Sequence, residues 1–193
     1  MNERSAEWNG DNSAFVIWFG INDVANTAED KELTLESLYL RAAESYVRVL
    51  KELHAAGGRR FLLLSLPREY HSRQTLPGTM LTQAVEAIDR TPSLVLLGAP
   101  HTFSIASASQ TFSKILSQQV KEWASSQSIP IARILDTQPI FHRVLDAHPD
   151  DATCSVEEKD TCLWVDMFHP AERLQRAVGE EVAKALKEMG MWR

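Results

Sequence analysis

The sequence predicts an α/β domain built on a parallel sheet, and three observations predict it. Two short, continuous apolar runs, residues 14–19 (AFVIWF) and 61–66 (FLLLSL), have the pattern of strands buried on both faces. Between them, apolar residues recur at spacings of three and four, which places them on one face of a helix. A helix joining two such strands carries the chain back across the sheet, so the strands pair in parallel.

The elements follow in order. The first run ends abruptly at Gly20-Ile21-Asn22-Asp23. The first long helix presents Leu35, Leu38, Tyr39, Ala42, Tyr46, Val49, Leu50 and Leu53 on one side; Thr34 can cap it and Gly57-Gly58 stops it. After the second strand, a helix through Phe112, Ile115, Leu116, Val120, Trp123 and Ala124 leads by way of Pro130 to a third strand at 131–135. A last helix begins near Pro170, where a missing N–H costs nothing, and buries Leu174, Ala177, Val178, Val182, Leu186 and Met189. Residues 67–109 are less regular. They hold a short helical pattern (Leu81, Ala84, Val85, Ile88) and an apolar run at 94–97 that reads equally as a strand or as a core-facing loop.

Composition narrows the classes of function. The chain has 193 residues, 44% hydrophobic and 24% charged, which suits one domain with a single sizeable core and excludes disordered or collagen-like sequence. Its 26 acidic and 20 basic residues give a net charge of -6, and no stretch gathers Lys and Arg into a stripe. Nucleic acid is therefore not an expected partner. No apolar run approaches the roughly 18 residues needed to cross a bilayer, and the first residues lack the apolar core of a secretory leader. The histidines other than His169 show no ligand spacing, and two cysteines are too few for a disulfide scaffold or a zinc site, so no metal and no cofactor are expected.

Two segments stand outside the packing pattern. In FVIWFGINDVAN, Gly20 lets the chain leave the strand sharply, and Asn22 then offers an amide N–H at the carboxyl edge of the sheet, where it could stabilise an oxyanion. The plainer reading is a Gly-Asn-Asp turn entering a helix. In LWVDMFHPAE, Asp166 and His169 are three apart, so the carboxylate can accept from one imidazole nitrogen and leave the other as a general base. Here the plainer reading is a helix-capping Asp and a surface His. Trp164 beside them can line an acyl or sugar pocket, or simply pack.

GIND after an apolar strand, together with DMFHP before an amphipathic terminal helix, resembles the third and fifth sequence blocks of the SGNH, or GDSL-type, esterase and lipase family. The fuller strings WNGDNSAFVIWFGINDV and LWVDMFHPAE are similar to secreted fungal members that act on acylated carbohydrates. The resemblance covers residues 8–66 well and 110–190 moderately. It implies a three-layer α/β/α, flavodoxin-like fold, with Asn22 as oxyanion-hole donor, His169 as general base and Asp166 as its orienting partner. Gly20, Asn22 and Trp164 would touch the substrate, a small ester of a carbohydrate or lipid.

Departures from the family shape the expectation. The family's Gly-Asp-Ser strand, which carries the nucleophile, and its following glycine block are not found in this sequence. Ser13, in Gly10-Asp11-Asn12-Ser13, falls at the amino end of the first strand, the wrong edge; Ser65 falls on the right edge but in no nucleophile turn. The chain is expected to be one SGNH domain over 1–193 lacking its first strands, nearly inert alone, with an apolar sheet edge (Phe15, Ile17, Trp18, Phe19) open to self-association. Residues 68–92 form an expected insertion, of which 68–87 has no counterpart in similar sequences. That stretch and the absent blocks suggest an incomplete product of an esterase gene. The alternative is a non-catalytic relative that binds glycans or a partner chain. Similar proteins are extracellular, and in them a disulfide between Cys154 and Cys162 would steady the approach to Asp166; free thiols stay equally open for this leaderless form.

Overall fold

A computed structural model describes residues 8–27, 35–67, 105–127, 129, 131–148, 162–165 and 169–191. The elements are β1 (Phe15–Ile17), α1 (Ile21–Thr27), α2 (Leu35–Ala55), β2 (Arg60–Leu64), α3 (Ile105–Ser126), β3 (Ile131–Leu135), α4 (Gln138–Ala147) and α5 (Glu172–Glu188). Among the described residues the sheet has three parallel strands in the order β1-β2-β3. Register pairs Phe15 with Phe61 and Ile17 with Leu63, then Arg60 with Ile131 and Leu64 with Leu135.

Alternation along the strands divides the core into two layers. Phe15 stacks on Phe61, which meets Trp123 of α3 edge-on, so this face lies under α2 and α3, which pack on each other. On the opposite face Trp18 meets Phe141 of α4, and α4 packs on α5. The expected three-layer α/β/α arrangement is therefore present. Helix α2 ends as the Gly57-Gly58 pair predicts. Gly57 takes a left-handed φ of +109°, its N–H donates to the His54 carbonyl and the Gly58 N–H to that of Leu53, which satisfies carbonyls the helix leaves over.

Several details differ from the sequence reading. Strand β1 is only three residues long and is not covered on both faces: Val16 is 44% and Phe19 67% exposed, because β1 pairs only with β2 among the described residues. Ile17, expected on the open edge, is buried at 8%, since by strand alternation it shares the core face with Phe15. Helix α3 begins at Ile105, within a stretch the sequence left irregular. Helix α4 went unread altogether. It starts directly after β3, has Pro in its first turn, and buries Ile140, Phe141 and Val144. The insertion at 68–92, the 94–97 run and the Thr34 cap lie outside the described residues.

Candidate active site

The turn after β1 is built around a glycine that packing requires. Gly20 is buried with a φ of +116°, and a Cβ placed on it would sit 2.4 Å from Phe112 Cε1. Its carbonyl accepts from the Val24 N–H at 3.0 Å, which starts α1. Val24 is fully buried and anchors the short helix, while Asn22 and Asp23 on its first turn face solvent. The plain turn-into-helix reading is thus correct as local structure. It also leaves the Asn22 amide accessible at the carboxyl end of the sheet.

The second segment is held by a small backbone clasp. Trp164 and Pro170 form an isolated antiparallel bridge; the Val165 N–H donates to the His169 carbonyl at 2.8 Å, and the Ala171 N–H to that of Leu163 at 2.8 Å. The clasp presents His169 to solvent just ahead of α5. Asp166 lies outside the described residues. Trp164 is 2% exposed and its ring lies 5.9 Å from that of Phe141, so its burial supports packing rather than the substrate-lining reading. Cys162 is buried and disulfide-bonded, which leaves it no free thiol.

These two segments share one neighbour. Trp18, two residues before Gly20, meets Phe141 at 6.5 Å between ring centroids, and Trp164 meets the same ring at 5.9 Å. Phe141 is fully buried in the opening turn and a half of α4. Because α4 leaves the carboxyl end of β3, the shared contact lies at that end of the sheet.

A hydrogen-bond network beside it, which the sequence did not reveal, joins the ends of all three strands. The Trp18 indole N–H donates to the Ser65 carbonyl at 3.1 Å, and the buried Thr137 hydroxyl donates to the same oxygen at 2.9 Å. The Ser65 hydroxyl donates to Asp136 Oδ1 at 3.1 Å and accepts from the Thr137 N–H at 2.9 Å. Asp136 also accepts from the Gln138 N–H and so caps α4 in place of Thr137. Ser65 therefore sits on the right edge, but its proton and a lone pair are both engaged, which suits a structural tie better than a nucleophile. Ser13 precedes β1 and bonds to Asn12, in a turn whose Gly10 packs on Arg59, at the opposite edge.

No group of three or more His, Cys, Asp or Glu able to hold a metal occurs among the described residues, and no helix there is long and apolar enough to cross a membrane. An open groove of about 700 Å³ between α3 and β3, lined by Val120, Lys121, Ala124, Ile129 and Ile134, lies away from Asn22 and His169. It belongs to the later half of α3, whereas Ser113 in the first half bonds the Leu66 N–H at the carboxyl edge.

The chain is 32% identical over 187 residues to an acetylesterase of Thermothelomyces thermophilus, covering 94% of this chain and 55% of the relative. It is a homologue of an ester hydrolase. An alpha/beta hydrolase enzyme from the metagenome of Lake Arreo superposes with a TM-score of 0.50 at 13% identity, over 89% of this chain and 58% of that one, which bears out the fold. A variant of an acetyl xylan esterase from Geobacillus stearothermophilus gives 0.48 at 17% identity, over 90% and 59%. No family model matches the chain. The chain thus spans little more than half the length of the proteins it matches.

Proposed function

We propose that this chain carries the oxyanion donor and the general base of an acetyl-ester hydrolase, in Asn22 and His169, with Asp166 orienting the imidazole. The observation that supports it is the common footing of the two segments on Phe141 at the carboxyl end of a parallel sheet, the edge where such folds gather ligands. The substrate class is a small acyl ester, acetyl foremost, of a carbohydrate or lipid. In the hydrolytic step His169 takes a proton from water as the oxygen bonds to the ester carbon. The Asn22 amide donates to the oxyanion that forms, the carbon–alkoxide bond breaks, and the imidazolium returns its proton to the departing alcohol. Ser65 is engaged through its proton and a lone pair, so it does not serve as the nucleophile and the step runs on water.

A p-nitrophenyl acetate assay tests the reading. Turnover that disappears in both Asn22→Ala and His169→Ala supports it; turnover untouched by either substitution counts against it. Absent turnover together with measurable binding of acetylated glycans supports the non-catalytic alternative. A second reading rests on β1, which pairs only with β2 among the described residues and whose exposed Val16 and Phe19 suit pairing with another copy of the chain. Size-exclusion chromatography decides it, because a clean compact monomer at micromolar concentration contradicts pairing.

A further inference from the structure

We propose that Phe141 is the positioning residue that sets the Asn22 segment and the His169 segment against each other, a role that rests on reading those two residues as the site. Each segment reaches α4 through a ring contact with Phe141. Trp18 meets the Phe141 ring at an interplanar angle of 75°, and its own indole is fixed by the bond to Ser65. Trp164 meets the same ring at 48°, fixed by its bridge to Pro170.

The connections onward are short and stiff on both sides. Trp18 leads through the tightly packed Gly20 to the first turn of α1, which carries Asn22. Trp164 adjoins Val165, whose N–H holds the His169 carbonyl. Phe141 itself cannot drift, because it is fully buried on a helix whose start is tied to Ser65 through Thr137 and to Asp136. Both indoles take their bearing from this one ring, and a smaller side chain removes the contact from each. The donor and the base then shift relative to one another while each keeps its own local structure.

The test uses methylphosphonate, a tetrahedral anion the size of an acetyl group under attack, titrated at pH 6 and followed by NMR on the Asn22 and His169 signals. Asn22→Ala and His169→Ala report on the site. Phe141→Leu, with Phe141→Met as the milder change should the first fail to fold, reports on positioning, and Val120→Ala in α3 is a core variant of comparable destabilisation far from the carboxyl edge. The expected result is binding weakened in both site variants, weakened about ten-fold by loss of the ring at Phe141, and unchanged by Val120→Ala. Binding weakened by the site variants but not by either Phe141 variant overturns the inference alone. So does equal weakening by Val120→Ala, which would trace the loss to stability. Site variants that bind like wild type overturn the reading of the site, and the role of Phe141 falls with it.

Discussion

Replacing Gly20 with Ala tests whether the turn that carries Asn22 is built as tightly as the structure shows. The added Cβ would lie 2.4 Å from Phe112 Cε1 and 2.8 Å from Cζ, closer than atoms pack without displacement. Phe112 has little room to yield, being 1% exposed and held edge-on against Tyr39 at 5.9 Å. Overpacking of this kind costs about 1–3 kcal/mol. The φ of +116° adds roughly 1–2 kcal/mol for any residue with a Cβ. Together these give a loss of about 3 kcal/mol, more than a hundredfold in the folding equilibrium. Urea denaturation monitored by circular dichroism measures it, and the two causes separate in a Phe112→Leu background. Leucine lacks the ring atoms that collide, so the added cost of Gly20→Ala there should fall to the backbone part alone. An unchanged cost in that background refutes the steric argument, and a loss below about 0.5 kcal/mol in the wild-type chain refutes both.

Three further outcomes follow from the described contacts. Burial, opposed in part by the neighbouring Phe19 backbone, pushes the Tyr46 hydroxyl up to about 12 from 10.0. Folded and unfolded chains thus hold this proton alike below pH 10, and as the pH climbs toward about 12 only the unfolded chain gives it up; stability falls by on the order of 2 kcal/mol, and Tyr46→Phe removes this part of the alkaline loss in denaturation curves at pH 9 and 11.5. Glu181 accepts from Lys184 at 2.9 Å and from both terminal nitrogens of Arg143 at 3.2 Å, which holds its carboxyl below the ordinary range. Its stabilisation is present above the unfolded value of 4.5 and lost as the pH falls through the depressed folded value; for so solvent-screened a pair Glu181→Gln should cost under about 1 kcal/mol at pH 7 and nothing at pH 2, by urea midpoint. Thr137→Val keeps the shape of a fully buried side chain but deletes its bond to the Ser65 carbonyl, for an expected loss of about 1–2 kcal/mol; an unshifted midpoint would show that the Trp18 indole alone satisfies that oxygen.

Much of the scaffold was legible because burial and secondary structure imposed the same pattern. Strand β3 spans the residues expected of it, and α2 begins and ends where its periodicity and glycine pair indicate. Helix α4 escaped because its four apolar positions are crowded into ten residues behind a proline, too few turns for a helical period to stand out. Strand β1 was over-read: an apolar run shows what a strand could bury, whereas the absence of a second neighbour among the described residues decides what Val16 and Phe19 do bury. At the site, Gly20 and the His169 segment announced themselves by interrupting the pattern. Phe141, Thr137 and Asp136 did not, since each looks like ordinary core or ordinary cap until the ends of three strands are brought together.

Among the described residues the order of the strands across the sheet is also their order along the chain. During synthesis each of these three strands can therefore join the one made before it, without being inserted between two earlier ones. The layer of α4 and α5 follows all three of these strands, so the side of the sheet bearing Trp18 and Leu62 stays wet until residues 138–188 have been made. A nascent chain halted before Gln138 would display that half-clad sheet to holdase chaperones, and one released after Glu188 would not.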